Sequence, residues 1–218
     1  MDRKTCLRKI LDCGIVPIIR LDDAEDAYGT AIALVKGGID VVEVTMAVPD
    51  ALGVIRSLKA RFKDEVAVGA GTVLDSKEAD SASSAGADFI VSPNLDLSTV
   101  EACKKNGKVA IPGSLTPTEI LEAWRAGADI VKVFPAGLMG GPKYIAALKE
   151  VFPYIRLLGL GKVNLETVRD YIEEGSDAVG IGAALVDKAD IKERRFDRIT
   201  EKAVKFKALV ELGRRARS

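Results

Sequence analysis

The amino-acid sequence contains no histidine. This absence excludes Ser-His-Asp and Cys-His mechanisms, any histidine general base, and the zinc sites that depend on imidazole ligands. Covalent and acid–base chemistry is therefore left to lysine, carboxylate, hydroxyl and backbone groups. Carboxylates alone can hold Mg²⁺, but the sequence has no acidic cluster that would form such a site, so we expect no metal.

Aromatic residues are also scarce, and the charges cancel. Phe, Trp and Tyr make up 5% of the 218 residues, and 32 basic residues balance 32 acidic ones. Nucleic-acid surfaces use basic patches and stacking aromatic rings, and anionic membranes attract net positive charge. We therefore expect neither nucleic acid nor a membrane as a partner, and a core built from Val, Ile, Leu and Ala.

Long apolar runs and paired cysteines are missing too. No apolar stretch approaches the roughly 20 residues of a membrane-spanning helix, and residues 1–14 are too polar for a signal peptide. The three cysteines are an odd number without metal-ligand spacing. We interpret Cys6 and Cys13, on a predicted helix, as apolar packing residues. This pattern is typical of a reducing compartment, and we expect a cytoplasmic protein.

What the sequence does contain is one unit repeated along the whole chain, a short apolar strand followed by an amphipathic helix. The eight predicted strands are Ile15–Arg20, Val41–Thr45, Val66–Ala70, Phe89–Ser92, Val109–Pro112, Ile130–Phe134, Ile155–Leu160 and Ala178–Ile181. Four of them follow the same Gly-x-Asp motif, which ends at Asp40, Asp88, Asp129 and Asp177. None resembles a polar edge strand, so closure into a barrel is favoured over an open sheet.

We therefore predict an α/β fold of the (β/α)8 TIM-barrel type, in a single domain spanning residues 1–218. An extra N-terminal helix, Asp2–Cys13, precedes the first strand, and a long helix, Ile191–Arg215, ends the chain. The final helix is dense in Lys and Arg. We interpret it as an amphipathic outer helix rather than an anion-binding arm. Its residues predicted to face the barrel are Phe196, Ile199, Val204, Leu209 and Leu212.

Two charged residues fall inside apolar strands, and such barrels place their active sites at the carboxyl ends of the strands. Burial of Lys132 would lower the pKa of its amine and favour the neutral form, which can attack a ketone to form a Schiff base. The alternative is a lysine that extends to the rim or pairs with a carboxylate. Glu43 could move protons beside Lys132, or form with it an ion pair that only orders the core.

Other candidates lie where the predicted strands end. Thr72 follows a Gly-Ala-Gly turn and could donate to a substrate carboxylate, although Gly-Thr is more commonly a helix cap. Arg20 could hold an anion by a forked contact or form a structural salt bridge. We also assign to substrate binding Pro93, Phe134, Gly161, Lys162 and Gly182.

The order of five motifs is more specific than any single residue. These motifs are GGIDVVEVT, VGAGTV, FIVSPN, IPGSLTPTE and VKVFPA. Together they resemble the family of 2-keto-3-deoxy-6-phosphogluconate and 4-hydroxy-2-oxoglutarate aldolases over nearly the whole chain. The resemblance implies a class I aldolase, which is a lyase that needs no metal or other cofactor, holds pyruvate as a Schiff base and assembles as a homotrimer.

Matched motif by motif, the resemblance implies roles for four residues. Lys132 matches the Schiff-base lysine, Glu43 the proton-transferring carboxylate and Thr72 a pyruvate contact. Arg20 matches an arginine that some members place in the pocket. The implied reaction cleaves a small keto acid to pyruvate and an aldehyde, either glyceraldehyde 3-phosphate or glyoxylate.

Three stretches depart from the family pattern. Members usually carry Thr-Gly-Gly after the seventh strand and a serine after the eighth, where this chain has Leu160-Gly161-Lys162 and Ala183. The cup for the substrate phosphate therefore lacks a hydroxyl and a glycine, and Lys162 either restores charge or fills the space. Some members also carry an arginine in the stretch that is Met46–Pro49 here. These departures leave open which aldehyde is formed and whether the substrate is phosphorylated.

Two other functions remain as alternatives. A sugar-phosphate isomerase or epimerase on the same fold needs a matched acid–base pair, often histidine or metal-bound, and this chain supplies neither. A non-catalytic paralogue or assembly scaffold would keep the fold and the trimer surface. The altered phosphate cup favours the scaffold, whereas the intact set of Lys132, Glu43 and Thr72 argues against it.

Overall fold

A computed structural model describes residues 1–217, and within them the chain forms a parallel β-barrel surrounded by helices. The strands are β1 (Ile15–Ile19), β2 (Val41–Thr45), β3 (Ala67–Gly71), β4 (Phe89–Val91), β5 (Val109–Ile111), β6 (Gly113–Ser114), β7 (Val131–Val133), β8 (Leu157–Leu160) and β9 (Ala178–Ile181). They form one sheet in the order β5-β4-β3-β2-β1-β9-β8-β7-β6. These short runs of Val, Ile, Leu, Ala and Gly are almost entirely buried, as expected of strands covered on both faces.

The barrel closes through the strand that contains Pro112. β5 pairs with β4, and β6 pairs with β7, so the two segments are parts of one barrel strand that lies between these neighbours. Proline has no N–H to donate to the ladder, which interrupts the strand at this residue. Its carbonyl still accepts from the Lys132 backbone N–H at 2.9 Å. The predicted eight-stranded α/β barrel is confirmed, with strand ends shifted by at most two residues.

Helices follow the strands around the outside of the barrel. They are α1 (Arg3–Cys13), α2 (Ala24–Lys36), α3 (Ala51–Phe62), α4 (Ser76–Ser84), α5 (Leu97–Lys105), α6 (Pro117–Ala126), α7 (Pro142–Val151), α8 (Val168–Glu173), α9 (Lys188–Lys192) and α10 (Phe196–Arg217), with a 3-10 turn at Ala136–Leu138. The predicted N-terminal helix is present as α1, with Asp2 as its N-cap. It contacts β1, β2, β3, β5 and β9. This extra helix therefore covers the amino ends of the strands.

The Gly-x-Asp motifs place four carboxylates at those amino ends, and we call these carboxylates the lower rim. Each accepts a hydrogen bond from a lysine or arginine side chain. The pairs are Asp40 with Lys9, Asp88 with Lys59, Asp129 with Arg3 and Asp177 with Lys149. Asp88, Asp129 and Asp177 also accept from a backbone N–H of the preceding barrel strand, at 2.9–3.0 Å. The repeated motif therefore ties the start of one strand to its neighbour.

The prediction of one long final helix over Ile191–Arg215 is wrong. The segment forms the short helix α9 and the long helix α10, with a break in which Arg194 has a φ of 57°. Asp190 explains the break, because this buried carboxylate lies within ion-pair distance of Arg195, Arg198 and Lys202. The backbone N–H of Arg195 donates to the Asp190 carbonyl at 2.8 Å.

The predicted inner face of the final helix is also partly wrong. Val204 and Leu212 are 54% and 46% exposed, whereas the buried positions of α10 are Ile199, Ala203, Phe206, Val210 and Gly213. Small residues explain the difference, because α10 approaches the backbone of its neighbours closely. A Cβ added to Gly37 would collide with the side chain of Ala203. Hydrophobicity alone did not identify the small residues that face inwards.

The three cysteines are free and buried. Burial raises the pKa of the Cys13 thiol to about 11, so packing is its role in the folded chain, as predicted. Among residues 1–217, no helix combines the length and apolar character needed to cross a membrane.

Candidate active site

A cavity of about 340 Å³ opens at the carboxyl ends of the barrel strands. Its walls come from seven strands or the residues just after them, β1–β4 and β7–β9, and from the segment that leads into the start of α9. The lining residues are Ile18, Arg20, Glu43, Thr72, Pro93, Lys132, Phe134, Leu160, Gly182, Ala183, Val186 and Lys188. The predicted positions Lys132, Glu43, Thr72, Arg20, Pro93, Phe134 and Gly182 are thus brought together. The carboxyl ends of the strands are where barrels of this type carry their sites.

Lys132 is the central residue of β7, which is the sixth strand of the barrel because β5 and β6 share one strand. Its side chain is only 7% exposed. Burial lowers the pKa of the amine, the positive charge of Arg20 lowers it further, and the negative charge of Glu43 opposes both. The amine nitrogen lies 5.1 Å from the centre of the Phe134 ring. The surroundings therefore favour the neutral, nucleophilic amine.

Glu43 is the central residue of β2 and is 3% exposed. Burial raises the pKa of its carboxyl group to about 7, although the charges of Lys132 and Arg20 act in the opposite direction. The space for this carboxylate is created by Gly71, because a Cβ at that position would overlap with the Glu43 side chain. A carboxyl group with a pKa near neutrality can both give and take a proton at physiological pH.

Arg20 and Thr72 form a polar contact above these two groups. The Arg20 guanidinium donates to the Thr72 hydroxyl oxygen over 2.9 Å. Thr72 has a φ of 58°, in the left-handed region, which is unusual for a β-branched residue. Such conformations store of order 1–3 kcal/mol and concentrate at functional sites. In this conformation the Thr72 hydroxyl and the Arg20 guanidinium lie together in the cavity lining.

Gly161 and Lys162 are not brought into the cavity. Gly161 has a φ of 123°, and its carbonyl accepts a hydrogen bond from the Tyr171 hydroxyl at 2.8 Å. Lys162 is exposed, with a φ of 53°. Only Leu160 of this stretch lines the cavity.

Three residues of the lining were not predicted from the sequence, namely Ile18, Val186 and Lys188. Ile18 is the one partly exposed residue of β1, and its apolar side chain gave no chemical signal. Val186 and Lys188 follow the last strand, just before and at the start of α9, and their position near the barrel mouth was the available signal. Lys188 adds a second side-chain amine to the cavity, besides that of Lys132. No function was predicted for it from the sequence.

The arrangement is suited to covalent carbonyl chemistry. A buried neutral amine can add to a ketone, and an adjacent carboxyl group of matched pKa can transfer the protons that this addition and its reversal require. Among the described residues, no group of three or more Cys, Asp or Glu side chains is placed to hold a metal ion.

Comparisons with known proteins agree over most of the chain. A family model described as KDPG and KHG aldolase matches residues 7–202. The KHG/KDPG aldolase of Escherichia coli (strain K12) is 34% identical over 201 residues, which cover 92% of this chain and 94% of that protein. Residues 7–202 include the whole lining of the cavity.

Two solved structures share the fold. A KDPG aldolase from Legionella pneumophila, with pyruvate captured at low pH as a covalent carbinolamine intermediate, has a TM-score of 0.84 and 30% identity, covering 91% of this chain and 96% of that chain. A cube-shaped, highly porous protein cage designed by fusing symmetric oligomeric domains also has a TM-score of 0.84, with 28% identity, covering 93% and 73%. The likeness thus extends over more than nine-tenths of this chain.

Proposed function

We propose, from the premise that this chain belongs to the KDPG and KHG aldolase family, that Lys132 is the amine with which it cleaves a keto acid to pyruvate and an aldehyde. The chain is a lyase of the class I aldolase type, which breaks a carbon–carbon bond through a covalent Schiff base and requires no metal. The observation that carries the assignment of Lys132 is its burial beside Glu43 in the cavity at the barrel mouth.

The reaction begins with attack of the neutral Lys132 amine on the C2 carbonyl of the keto acid. The new C–N bond gives a carbinolamine, which loses water after Glu43 supplies a proton to the departing hydroxyl group. The resulting iminium attracts electrons. When the C4 hydroxyl loses its proton, the C3–C4 bond breaks, the aldehyde leaves, and the bonding electrons form an enamine. Protonation at C3 and hydrolysis of the iminium then release pyruvate and regenerate the amine.

Arg20 and Thr72 are assigned to the carboxylate of the substrate. Their mutual hydrogen bond of 2.9 Å holds the guanidinium and the hydroxyl together at one side of the cavity. A guanidinium matches a carboxylate by forked hydrogen bonds, and the threonine hydroxyl adds a donor. Pro93, Phe134 and Gly182 complete the walls around the reacting carbons. Binding the carboxylate in this way would present C2 to the amine.

The substrate class comes from the family. Relatives carry the names KHG/KDPG aldolase and 2-dehydro-3-deoxy-phosphogluconate aldolase. We therefore propose 2-keto-3-deoxy-6-phosphogluconate, 4-hydroxy-2-oxoglutarate or both as substrates. The aldehyde product would be glyceraldehyde 3-phosphate or glyoxylate. No observation favours the non-catalytic alternative.

We further propose a homotrimer in the cytoplasm. Large apolar side chains are exposed in the segment after β7, with Leu138 71% and Met139 50% exposed, and such groups are often covered in oligomers. The designed cage, which was made by fusing symmetric oligomeric domains, supports an oligomer for this fold. Three free cysteines support a reducing compartment.

Mass spectrometry after incubation with pyruvate and sodium borohydride tests the proposed function. We expect a reduced pyruvate adduct on Lys132, and its absence in Lys132→Met. This variant should also lose at least about a thousandfold in kcat/KM for cleavage, because the covalent route is removed. Lys105→Met, the same change at an exposed lysine of α5, is the matched control and should keep the adduct. A folded wild-type protein without any adduct would overturn the proposal.

A further inference from the structure

The cavity has two walls that differ in chemistry. The inner wall carries the groups used in the proposed reaction, which are Arg20, Glu43, Thr72 and Lys132. A second part of the lining, which we call the outer wall, comes from the ends of β8 and β9 and from the segment that leads into the start of α9. It consists of Leu160, Gly182, Ala183, Val186 and Lys188. Arg20 and Lys132 are assigned to the substrate carboxylate and carbonyl, so among the described lining residues Lys188 is the cation that remains for a charge at the aldehyde-derived end.

Among the described residues of the outer wall, Lys188 has the one polar side chain. The side chains of Leu160, Ala183 and Val186 have no hydrogen-bonding atoms. An atom added to Gly182 would meet nothing within 4 Å, so the space beside its backbone is open. A distal anion would therefore find open space and a single side-chain cation there. Lys162, the other cation considered for this role, does not line the cavity.

An exposed ion pair holds Lys188 at this position. Its Nζ lies 2.9 Å from a carboxylate oxygen of Asp22, and the two side chains are 61% and 92% exposed. Ion pairs so open to solvent are weak, and an ammonium group has three donors, of which Asp22 engages one. An incoming anion can therefore share or replace Asp22 with little loss.

We propose that Lys188 is a specificity-determining residue that binds the anionic group at the distal end of the substrate, and that Asp22 competes with this group for the ammonium. The inference rests on the proposed aldolase function and adds to it the residue that discriminates between substrates with and without a distal anion. It assigns the cation contact to the first residue of α9 instead of to the stretch around Lys162.

Kinetics of Lys188→Met and Asp22→Asn test this inference. The substrates are 2-keto-3-deoxy-6-phosphogluconate, 4-hydroxy-2-oxoglutarate and, with a neutral distal end, 2-keto-3-deoxygluconate. The readout is the ratio of kcat/KM for each anionic substrate to that for the neutral one. We expect Lys188→Met to lower the ratio about tenfold, as for one partly exposed charged hydrogen bond. Asp22→Asn should raise it about twofold, because a competing carboxylate is removed.

Lys192→Met is the matched control, since it removes the same charge from an exposed position of α9 that does not line the cavity. A lower ratio for both anionic substrates supports the inference, and a lower ratio for one supports it and identifies phosphate or carboxylate. A ratio that is unchanged in Lys188→Met, or that falls equally in Lys192→Met, overturns it. Borohydride trapping separates the two proposals: trapped wild-type protein with an unchanged ratio refutes only Lys188, whereas folded, untrapped protein refutes both.

Discussion

The two ends of the barrel use the same kinds of charged residue in opposite ways. At the lower rim, four aspartates accept hydrogen bonds from lysine or arginine at 2.7–2.8 Å. At the carboxyl ends of the strands, which we call the upper end, Glu43 is 3% and Lys132 7% exposed. They are as deeply buried as Asp88 and Asp129 of the lower rim, which are 2% and 7% exposed. Yet their pKa values are moved by burial and by neighbouring charge, without a hydrogen bond among the described residues that holds either charge.

The difference shows that burial alone does not decide what a charge does. A buried charge that is fully hydrogen-bonded stays ionised and fixes the structure around it. A buried charge that lacks such partners tends towards its neutral form, which leaves it free to exchange protons or to attack a carbonyl. The lower rim is therefore expected to contribute stability and the upper end reactivity at some expense of stability.

Breaking the lower rim should produce the largest change in stability. Asp88→Asn removes an ionised acceptor that is bonded to Lys59 at 2.8 Å and to the Val68 backbone N–H at 3.0 Å. The variant should lose about 3 kcal/mol in the free energy of unfolding, because a partly buried ammonium loses its buried charge partner. Urea unfolding measures this loss, and kcat/KM per folded molecule should stay near the wild-type value.

Asp64→Asn is the matched control for this variant. Asp64 lies 3.6 Å from the same Lys59 ammonium, but its side chain is 70% exposed. The control should lose much less stability than Asp88→Asn, as is usual for exposed ion pairs. Equal losses of unfolding free energy in the two variants would show that the buried ion pair of Asp88 stabilises the protein no more than an exposed one.

The contrast between the two ends explains how far the sequence could be interpreted. The period of the apolar segments predicted all eight barrel strands, and the Gly-x-Asp motif marked four strand starts. The partners of these aspartates could not be predicted, because Arg3 and Asp129 lie 126 positions apart in the chain. Upper-end residues were easier to find, since Lys132 and Glu43 each interrupt an apolar strand.

Side-chain direction was the part that the sequence did not reveal. Lys162 follows the end of β8 and was expected in the cavity, but its backbone adopts a φ of 53° and its side chain is exposed. Lys188 begins the short helix α9 in a segment without a motif, and only the placement of that segment beside the barrel mouth brings it to the cavity. Both outcomes depend on backbone geometry in loops, which apolar periodicity does not encode.

A smaller effect is expected from Glu43→Gln, and it should depend on pH. Burial raises the pKa of Glu43 from 4.5 in the unfolded chain to about 7 in the folded protein. Between pH 4.5 and pH 7, the folded protein therefore keeps a proton on Glu43 that the unfolded chain has lost. The stability from this group is present below pH 4.5 and lost as the pH rises to 7. Glutamine does not titrate, so at pH 8 the variant should be more stable than wild type by about 1–2 kcal/mol.

Urea unfolding of both proteins at pH 5 and pH 8 measures this change, with Glu65→Gln as the same substitution at an exposed site. The stability advantage of Glu43→Gln should be larger at pH 8, whereas the control should show no such difference. Cleavage by Glu43→Gln should fall because its proton-transfer group is lost. A loss of stability at pH 8 would mean that ionised Glu43 stabilises the fold, as the lower-rim aspartates do.

The smallest expected effect concerns the strain at Thr72, whose φ is 58°. Thr72→Gly removes the steric cost of this conformation but increases the entropy of the unfolded chain, so stability should rise by less than about 1 kcal/mol. The hydroxyl that accepts from Arg20 is lost, and the KM for the keto acid should increase more than kcat decreases. Thr72→Ser keeps the hydroxyl and should retain most of the affinity. If Thr72→Gly lowered stability and left KM unchanged, the strained residue would belong with the structural groups of the lower rim instead of with the reactive end.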